Sequence, residues 1–115
     1  MAIDAAAVLD FAASLPETGE RDYADKAVVF TFRGRGLGYV TNDGRRLYVK
    51  CTLDERAALV ASRPDVFADW WSAGRFGWVS VELRAADPDE VLELVLEAWR
   101  LTAPKRVVAA YDAEG

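Results

Sequence analysis

Asp43-Gly44 sits between two runs of alternating polar and apolar residues, and no other feature restricts the fold so tightly. Residues 37–42 (LGYVTN) and 45–51 (RRLYVKC) read as strands on either side of it. A two-residue loop of this composition favours a type I′ turn, which needs positive φ at both positions. Loop length then sets the register: Val40 faces Leu47, Gly38 faces Val49, Tyr39 faces Tyr48 and Thr41 faces Arg46. A further strand, residues 27–33 (AVVFTFR), joins across Gly34-Arg35-Gly36. A two-residue turn there would set its phenylalanines beside Arg46 and Lys50. A three-residue loop, with Gly36 in a bulge, sets Val28, Phe30 and Phe32 beside Val40, Leu47 and Val49. A slip of one residue reverses every side chain, so the three-residue loop is the consistent reading. The opposite face then holds Thr31, Arg33, Leu37, Tyr39, Arg46, Tyr48 and Lys50.

Helices frame these strands. Residues 4–15 place Val8, Phe11, Ala12 and Leu15 on one helical face, with Asp4 as cap and Pro16 as stop. Thr52 and Glu55 form a capping box for a helix over about 53–62, ended by Arg63-Pro64. Residues 65–71 (DVFADWW) suit a strand or irregular structure. Residues 77–83 alternate, with Val79, Val81 and Leu83 inward and Trp78, Ser80 and Glu82 outward. Asp87-Pro88 opens a last helix that runs to about Leu101 and is apolar on most sides. The stretch from Pro16 to Asp25 (PETGERDYAD) reads as a polar, acidic loop. Hairpins dominate this order, which predicts an α+β fold with an antiparallel sheet and helices on one face.

Composition removes several chemistries. At 115 residues the chain is expected to be a single domain over 1–115. It has no histidine, which removes Ser-His-Asp and Cys-His nucleophile pairs, histidine bases and most zinc sites. The lone Cys51 makes no intrachain disulfide and alternates inward with Leu47 and Val49 as a core residue. No metal or cofactor is implied. Gly34, Gly36 and Gly38 lie between strands and do not open a helix, so they are not a dinucleotide fingerprint. The N-terminus, Met1-Ala2-Ile3-Asp4, lacks a basic region and an apolar stretch, and no run is long enough to span a membrane. A monomeric cytoplasmic protein is the expectation.

The formal net charge is −5, yet residues 26–50 hold six bases against one acid. Arg33, Arg35, Arg45 and Arg46 flank the two turns, with Lys50 further along the strand beside Tyr39 and Tyr48. Cations follow phosphates and aromatics stack on bases, so this mixture suits nucleic acid. The same residues also suit a sheet face kept soluble by charge. Trp70, Trp71, Arg75 and Trp78 cluster about a glycine-bearing turn, as interface anchors do, or as a cap on one end of the core. Lys105 and Arg106 follow the last helix, where bases either meet phosphate or complement the helix end. Glu17, Glu20, Asp22 and Asp25 lack the pattern of a calcium loop.

Several segments in order resemble the MmcQ/YjbR family of small bacterial proteins. They are SLPET near residue 14, GRGLGYV at 34–40, LYVK at 47–50, RAALVASRPDVF at 56–67, GRFGWVSVEL at 74–83 and EAWRLTAPKR at 97–106. The resemblance implies a two-layer α-β(3)-α-β(2)-α fold. It also implies the DNA-binding role that the family carries on the strength of its double-wing hairpins. Lys50, Trp78 and Lys105 match the family's Lys, Trp and Lys. Where the family favours Lys-x-Phe-Ala, Arg35, Leu37 and Gly38 stand here, so the charge is kept and the aromatic lost. The first functional reading is therefore a non-enzymatic module for DNA. Arg35, Arg46, Lys50 and Lys105 would meet phosphates, with Tyr48 and Trp78 as apolar contacts. The alternative is a protein or peptide adaptor built on residues 70–78.

Overall fold

The computed structural model describes residues 3–114; Met1 and Ala2 of the N-terminus read above, and Gly115, lie outside it. Its elements run α1 (Ala5–Ala13), β1 (Thr18–Tyr23), β2 (Ala27–Phe32), β3 (Arg35–Thr41), β4 (Arg46–Thr52), α2 (Leu53–Ser62), β5 (Phe67–Ala73), β6 (Phe76–Glu82), α3 (Pro88–Thr102) and α4 (Lys105–Glu114). The strands form one antiparallel sheet in the order β1-β2-β3-β4-β6-β5. This is the α+β architecture that the hairpins predict, with one strand and one helix more.

Local chemistry starts each helix as its sequence indicates. Asp4 accepts from the Ala7 N–H at 2.8 Å, and Thr52 Oγ1 from the Glu55 N–H at 3.1 Å. Asp87 accepts from the Asp89 N–H at 3.2 Å, with Pro88 in the first turn of α3. One core joins Val8 and Ala12 of α1, the inward sheet residues Phe30, Phe32, Val40, Leu47, Val49, Val79 and Val81, and Val91, Leu94, Val95, Ala98 and Trp99 of α3. Trp99 is fully buried, and its indole Nε1–H donates to the Pro16 carbonyl at 3.0 Å. α2 comes so close to β6 that a Cβ on Gly77 would lie 2.9 Å from Leu53 Cδ2 and Arg56 Nη1. Cys51 is buried, which pushes its thiol up to about 11, with the Glu55 carboxylate adding to the effect. The core position read from its alternation is therefore correct.

Four readings change. First, residues 18–23 are not a loop. They pair with β2 along their whole length, from Thr18↔Phe32 to Tyr23↔Ala27. The segment carries no apolar alternation because β1 is an edge strand, and charged side chains on an edge oppose pairing with another chain. Second, the β2–β3 loop is a tight turn with positive φ at Arg33 (49°) and Gly34 (84°). The extra residue lies in β3 instead, between Phe30↔Gly38 and Thr31↔Gly36. That bulge takes Leu37 into the core, where it is fully buried, not onto the outer face. The bulge performs the one-residue correction that the three-residue loop was expected to make, so Phe30 and Phe32 still face inward.

Third, the Asp43-Gly44 hairpin is not a type I′ turn, because only Gly44 takes positive φ (75°). The Gly44 N–H donates to the Thr41 carbonyl at 2.9 Å. The Asp43 carboxylate accepts from the Thr41 hydroxyl at 2.6 Å and the Arg45 N–H at 3.0 Å, and these bonds hold its pKa below the ordinary value. The expected pairs Gly38↔Val49, Tyr39↔Tyr48 and Val40↔Leu47 all form. Fourth, Pro104 ends α3 but also opens α4, its carbonyl accepting from the Val107 and Val108 N–H groups. α4 rests on α3 through Tyr111 against Trp99 and a bidentate Arg100–Asp112 pair at 2.7 and 2.9 Å.

Candidate binding face

The helices leave the opposite face of the sheet uncovered, and alternation sorts the residues onto it. In β1, Thr18, Glu20 and Asp22 pair with the inward residues of β2, so Gly19, Arg21 and Tyr23 turn outward. Val29 and Thr31 of β2, Tyr39 of β3, and Arg46, Tyr48 and Lys50 of β4 share that side. Trp78, Ser80 and Glu82 of β6 complete it. The charges on it are Arg21 and Arg46 against Glu82, since the Lys50 ammonium turns away toward Thr102, so two positive less one negative leaves +1 on a chain of net −5. The acids of β1 and β5 lie on the helix side.

The tryptophan-rich segment joins the same face. A bulge between Asp69↔Val79 and Trp71↔Trp78 leaves Trp70 without a partner. Asp69, paired with inward Val79, faces α2, where its carboxylate lies 3.2 Å from Arg56 Nε, and the bulge lets Trp70 and Trp71 both turn outward. Five aromatic rings result in one chain of contacts. Trp70 lies 4.7 Å from Tyr48, Tyr48 stacks on Tyr39 at 4.7 Å, and Tyr39 lies 6.4 Å from Trp78. Trp78 stacks on Trp71 at 5.8 Å, with their planes 8° apart. All these separations suit aromatic attraction. The basic face and the tryptophan-rich turn, two candidate surfaces in the sequence, are thus one surface. Tyr23, Trp70 and Trp71 are about half exposed there, at 61%, 51% and 48%.

Side chains from both edges of the sheet reach over this layer. Flat, six strands would hold β1 and β5 about 24 Å apart, from five spacings of about 4.8 Å. Yet Arg21 and Tyr23 of β1 and Trp71 of β5 line one groove with Val29, Gly36, Tyr39 and Trp78. Its volume is about 370 Å³. Val29, Thr31 and Ser80 on this face are buried. Arg21 donates from Nη1 to the Gly34 carbonyl at 3.1 Å, which holds its guanidinium toward the β2–β3 turn. Burial raises the Tyr39 phenol above its ordinary pKa, so the ring stays neutral in this layer.

The sequence-derived basic residues do not all gather here. The β2–β3 and β3–β4 turns lie at opposite ends of β3, about 20 Å apart for seven residues. Arg45 and Arg46 occupy one end. Arg33, Arg35, Lys50, Lys105 and Arg106 occupy the other, beside the junction of α3 and α4. Arg33 is engaged by Glu17 through two bonds of 2.7 and 2.8 Å, which raise its pKa and lower that of Glu17. Lys50 leaves the face by its tip: Nζ donates to Thr102 Oγ1 at 3.0 Å and lies 4.5 Å from the Phe76 ring. Burial, and then nearby Arg35, lowers its pKa. Arg35, Arg45 and Lys105 are exposed and make no ion pair among the described residues. Arg46 bonds Ser80 and Glu82 on the open face, while Arg75 sits above the Phe76 ring at the β5–β6 turn. Arg21, Tyr23 and Gly36 were missed. The signal for the first two was the alternation Gly19/Arg21/Tyr23 against Thr18/Glu20/Asp22, hidden by its charge.

Among the described residues no set of acids or Cys51 is grouped to hold a metal ion, and no helix is long and apolar enough to cross a membrane. What the fold and face define is a small α+β domain with helices on one side of its sheet and an open aromatic face on the other. The YjbR family model matches residues 13–101, and the chain belongs to that family. It is similar to the crystal structure of protein DR2400 of Deinococcus radiodurans, which carries a DUF419 domain. The TM-score is 0.71 at 21% identity, over 84% of this chain and 75% of that one. At that identity the likeness concerns the fold. No match emerges among curated proteins.

Proposed function

We propose that the protein is a non-enzymatic nucleic-acid-binding module that works through its open sheet face. One observation carries the reading: a continuous layer of five aromatic rings, placed on an uncovered face of net positive charge in an acidic protein. Aromatic rings accept base faces and guanidinium groups accept phosphates. Arg21 and Arg46 are the phosphate contacts on this face. Arg35 and Lys105 extend the path at the α3–α4 end. Lys50 serves the fold through Thr102 instead. Acidic residues elsewhere keep long-range attraction modest, so contact at the face decides affinity.

The test is fluorescence anisotropy with labelled single- and double-stranded DNA at low salt, followed by a salt titration. Arg21→Gln/Arg46→Gln is compared with the parent. Binding should weaken with salt, and the double variant should reduce the slope of log K against log salt by roughly 1.4–1.8, from about 0.7–0.9 per phosphate contact. No binding by the parent, or a slope indifferent to the variant, would overturn the proposal. The half-exposed Tyr23, Trp70 and Trp71 also support a second reading, an adaptor for protein or peptide. Capture of a partner that persists at high salt and is lost in Trp70→Ala would favour it.

A further inference from the structure

The groove on the open face differs from the rest of the aromatic layer because it has two walls. Trp71 and Trp78, nearly parallel, form one with Tyr39. Tyr23 and Arg21 of β1 form the other. The floor is Gly36, where a Cβ would sit 3.8 Å from both Trp78 Cη2 and Val29 Cγ1. Glycine is therefore not demanded by a clash, nor by positive φ, since its φ lies outside that range. Its small size is what keeps the floor open. At about 370 Å³ the groove lies in the range of about 300–1,000 Å³ typical of small-molecule sites.

The walls state what fits. Flat aromatic surfaces and a half-exposed tyrosine accept a planar, apolar-faced group. Arg21 is held by the Gly34 carbonyl and makes no ion pair among the described residues, so it offers a positive charge at the mouth. A nucleotide answers that description, a planar base joined to an anionic phosphate. In a duplex both faces of each base are covered by neighbours, whereas an unpaired base can turn out into a walled site.

We propose that the groove between Tyr23 and the Trp71–Trp78 stack is a slot for one unpaired nucleobase, with Arg21 on the adjoining phosphate. The module then selects single-stranded over double-stranded nucleic acid. This rests on the nucleic-acid reading above and names the form of ligand that the same face takes. Trp70 and Tyr48 lie further along the layer and stack on the next base without enclosing it.

The experiment compares a labelled 12-mer oligothymidine with a labelled 12-base-pair duplex by anisotropy, for the parent, Gly36→Val and Tyr23→Ala. Valine at position 36 extends its branches into the slot and leaves Trp70, Tyr48 and Arg46 untouched. Tyr23→Ala removes a wall residue that is 61% exposed and outside the core, so it keeps the fold if the valine variant does not. Melting curves verify that each variant is folded. The parent should bind the single strand at least tenfold more tightly. Each folded variant should lose about tenfold on the single strand, as for one base–aromatic stack, and stay within twofold of the parent on the duplex. Equal affinity for both forms, or unchanged single-strand affinity in a folded variant, overturns the slot. If salt-dependent duplex binding persists in that case, the broader function stands. No binding to either form removes both.

Discussion

Gly38→Ala tests how the aromatic layer is supported from below. Gly38 pairs with Phe30 on one side and Val49 on the other, and the Phe30 ring lies over it. A Cβ there would be 2.6 Å from Phe30 Cζ and 2.6 Å from the Tyr48 carbonyl oxygen, with Phe30 Cε1 at 3.2 Å. The ring can swing, but the carbonyl belongs to a paired strand, so β3 and β4 must part locally. Overpacking of a core costs about 1–3 kcal/mol, and a backbone contact puts this case near about 3 kcal/mol. Unfolding entropy of about 2.1 cal/mol/K per residue gives about 0.24 kcal/mol/K for this chain, so Tm should fall by roughly 12 °C. Thermal melts followed by circular dichroism measure it, with guanidinium titration as a check on ΔG. Phe30→Leu in the same background relieves only the ring contacts, so the pair should couple by about 1 kcal/mol in a double-mutant cycle and leave most of the loss. A Gly38→Ala protein that melts within 3 °C of the parent would refute the reasoning. So would full rescue by Phe30→Leu, because the carbonyl contact would then carry no cost.

Two other substitutions probe the helix side. Burial, followed by the Glu97 carboxylate, raises the Glu55 pKa above its ordinary 4.5, and its Oε1 has no hydrogen-bond partner among the described residues. The raised folded-state pKa gives a stability contribution that is full below 4.5 and lost as pH rises through the folded value. Glu55→Gln should therefore raise Tm at pH 7, and the gain should shrink as pH falls toward 4.5; a gain constant with pH would contradict this. Trp99→Phe deprives the Pro16 carbonyl of its indole donor and opens space beneath Tyr111, so it should cost about 2 kcal/mol by denaturant titration. A loss below 0.5 kcal/mol would show the bond to be dispensable.

Much of the fold was legible because it rests on local signals. Thr52 with Glu55 and Asp87-Pro88 mark the starts of α2 and α3, and the alternation around Tyr39 and Tyr48 gives the register of β3 and β4. What stayed hidden depends on partners distant in sequence. The segment from Thr18 to Tyr23 is a strand because β2 offers it an edge, and nothing in its own composition asks for one. Leu37 turns inward because a bulge opposite Phe30 and Thr31 absorbs the extra residue, and a bulge shifts the side of one residue without altering the pattern around it. The site follows the same division. Tyr48 and Trp78 were legible on the open face by their period of two. The splitting of the arginines between two ends required knowing that successive hairpin turns of an antiparallel sheet lie far apart. The union of Trp70 and Trp71 with the tyrosines required the β5 bulge, which the run Asp69-Trp70-Trp71 does not announce.

The distribution of the four tryptophans gives the molecule two optical reporters that answer to different events. Trp99 is sealed beneath α4, so its emission follows the integrity of the core. Trp70 and Trp71 are half in water and Trp78 lies against Trp71, so their emission answers to whatever settles on the sheet. A soluble quencher such as iodide reaches only the second group while the chain is folded. Occupancy of the face would shield that group and leave the blue-shifted signal of Trp99 unchanged. Loss of the fold would move both together. A partner that settles on this face can thus be told apart from a destabilising agent in one unlabelled cuvette.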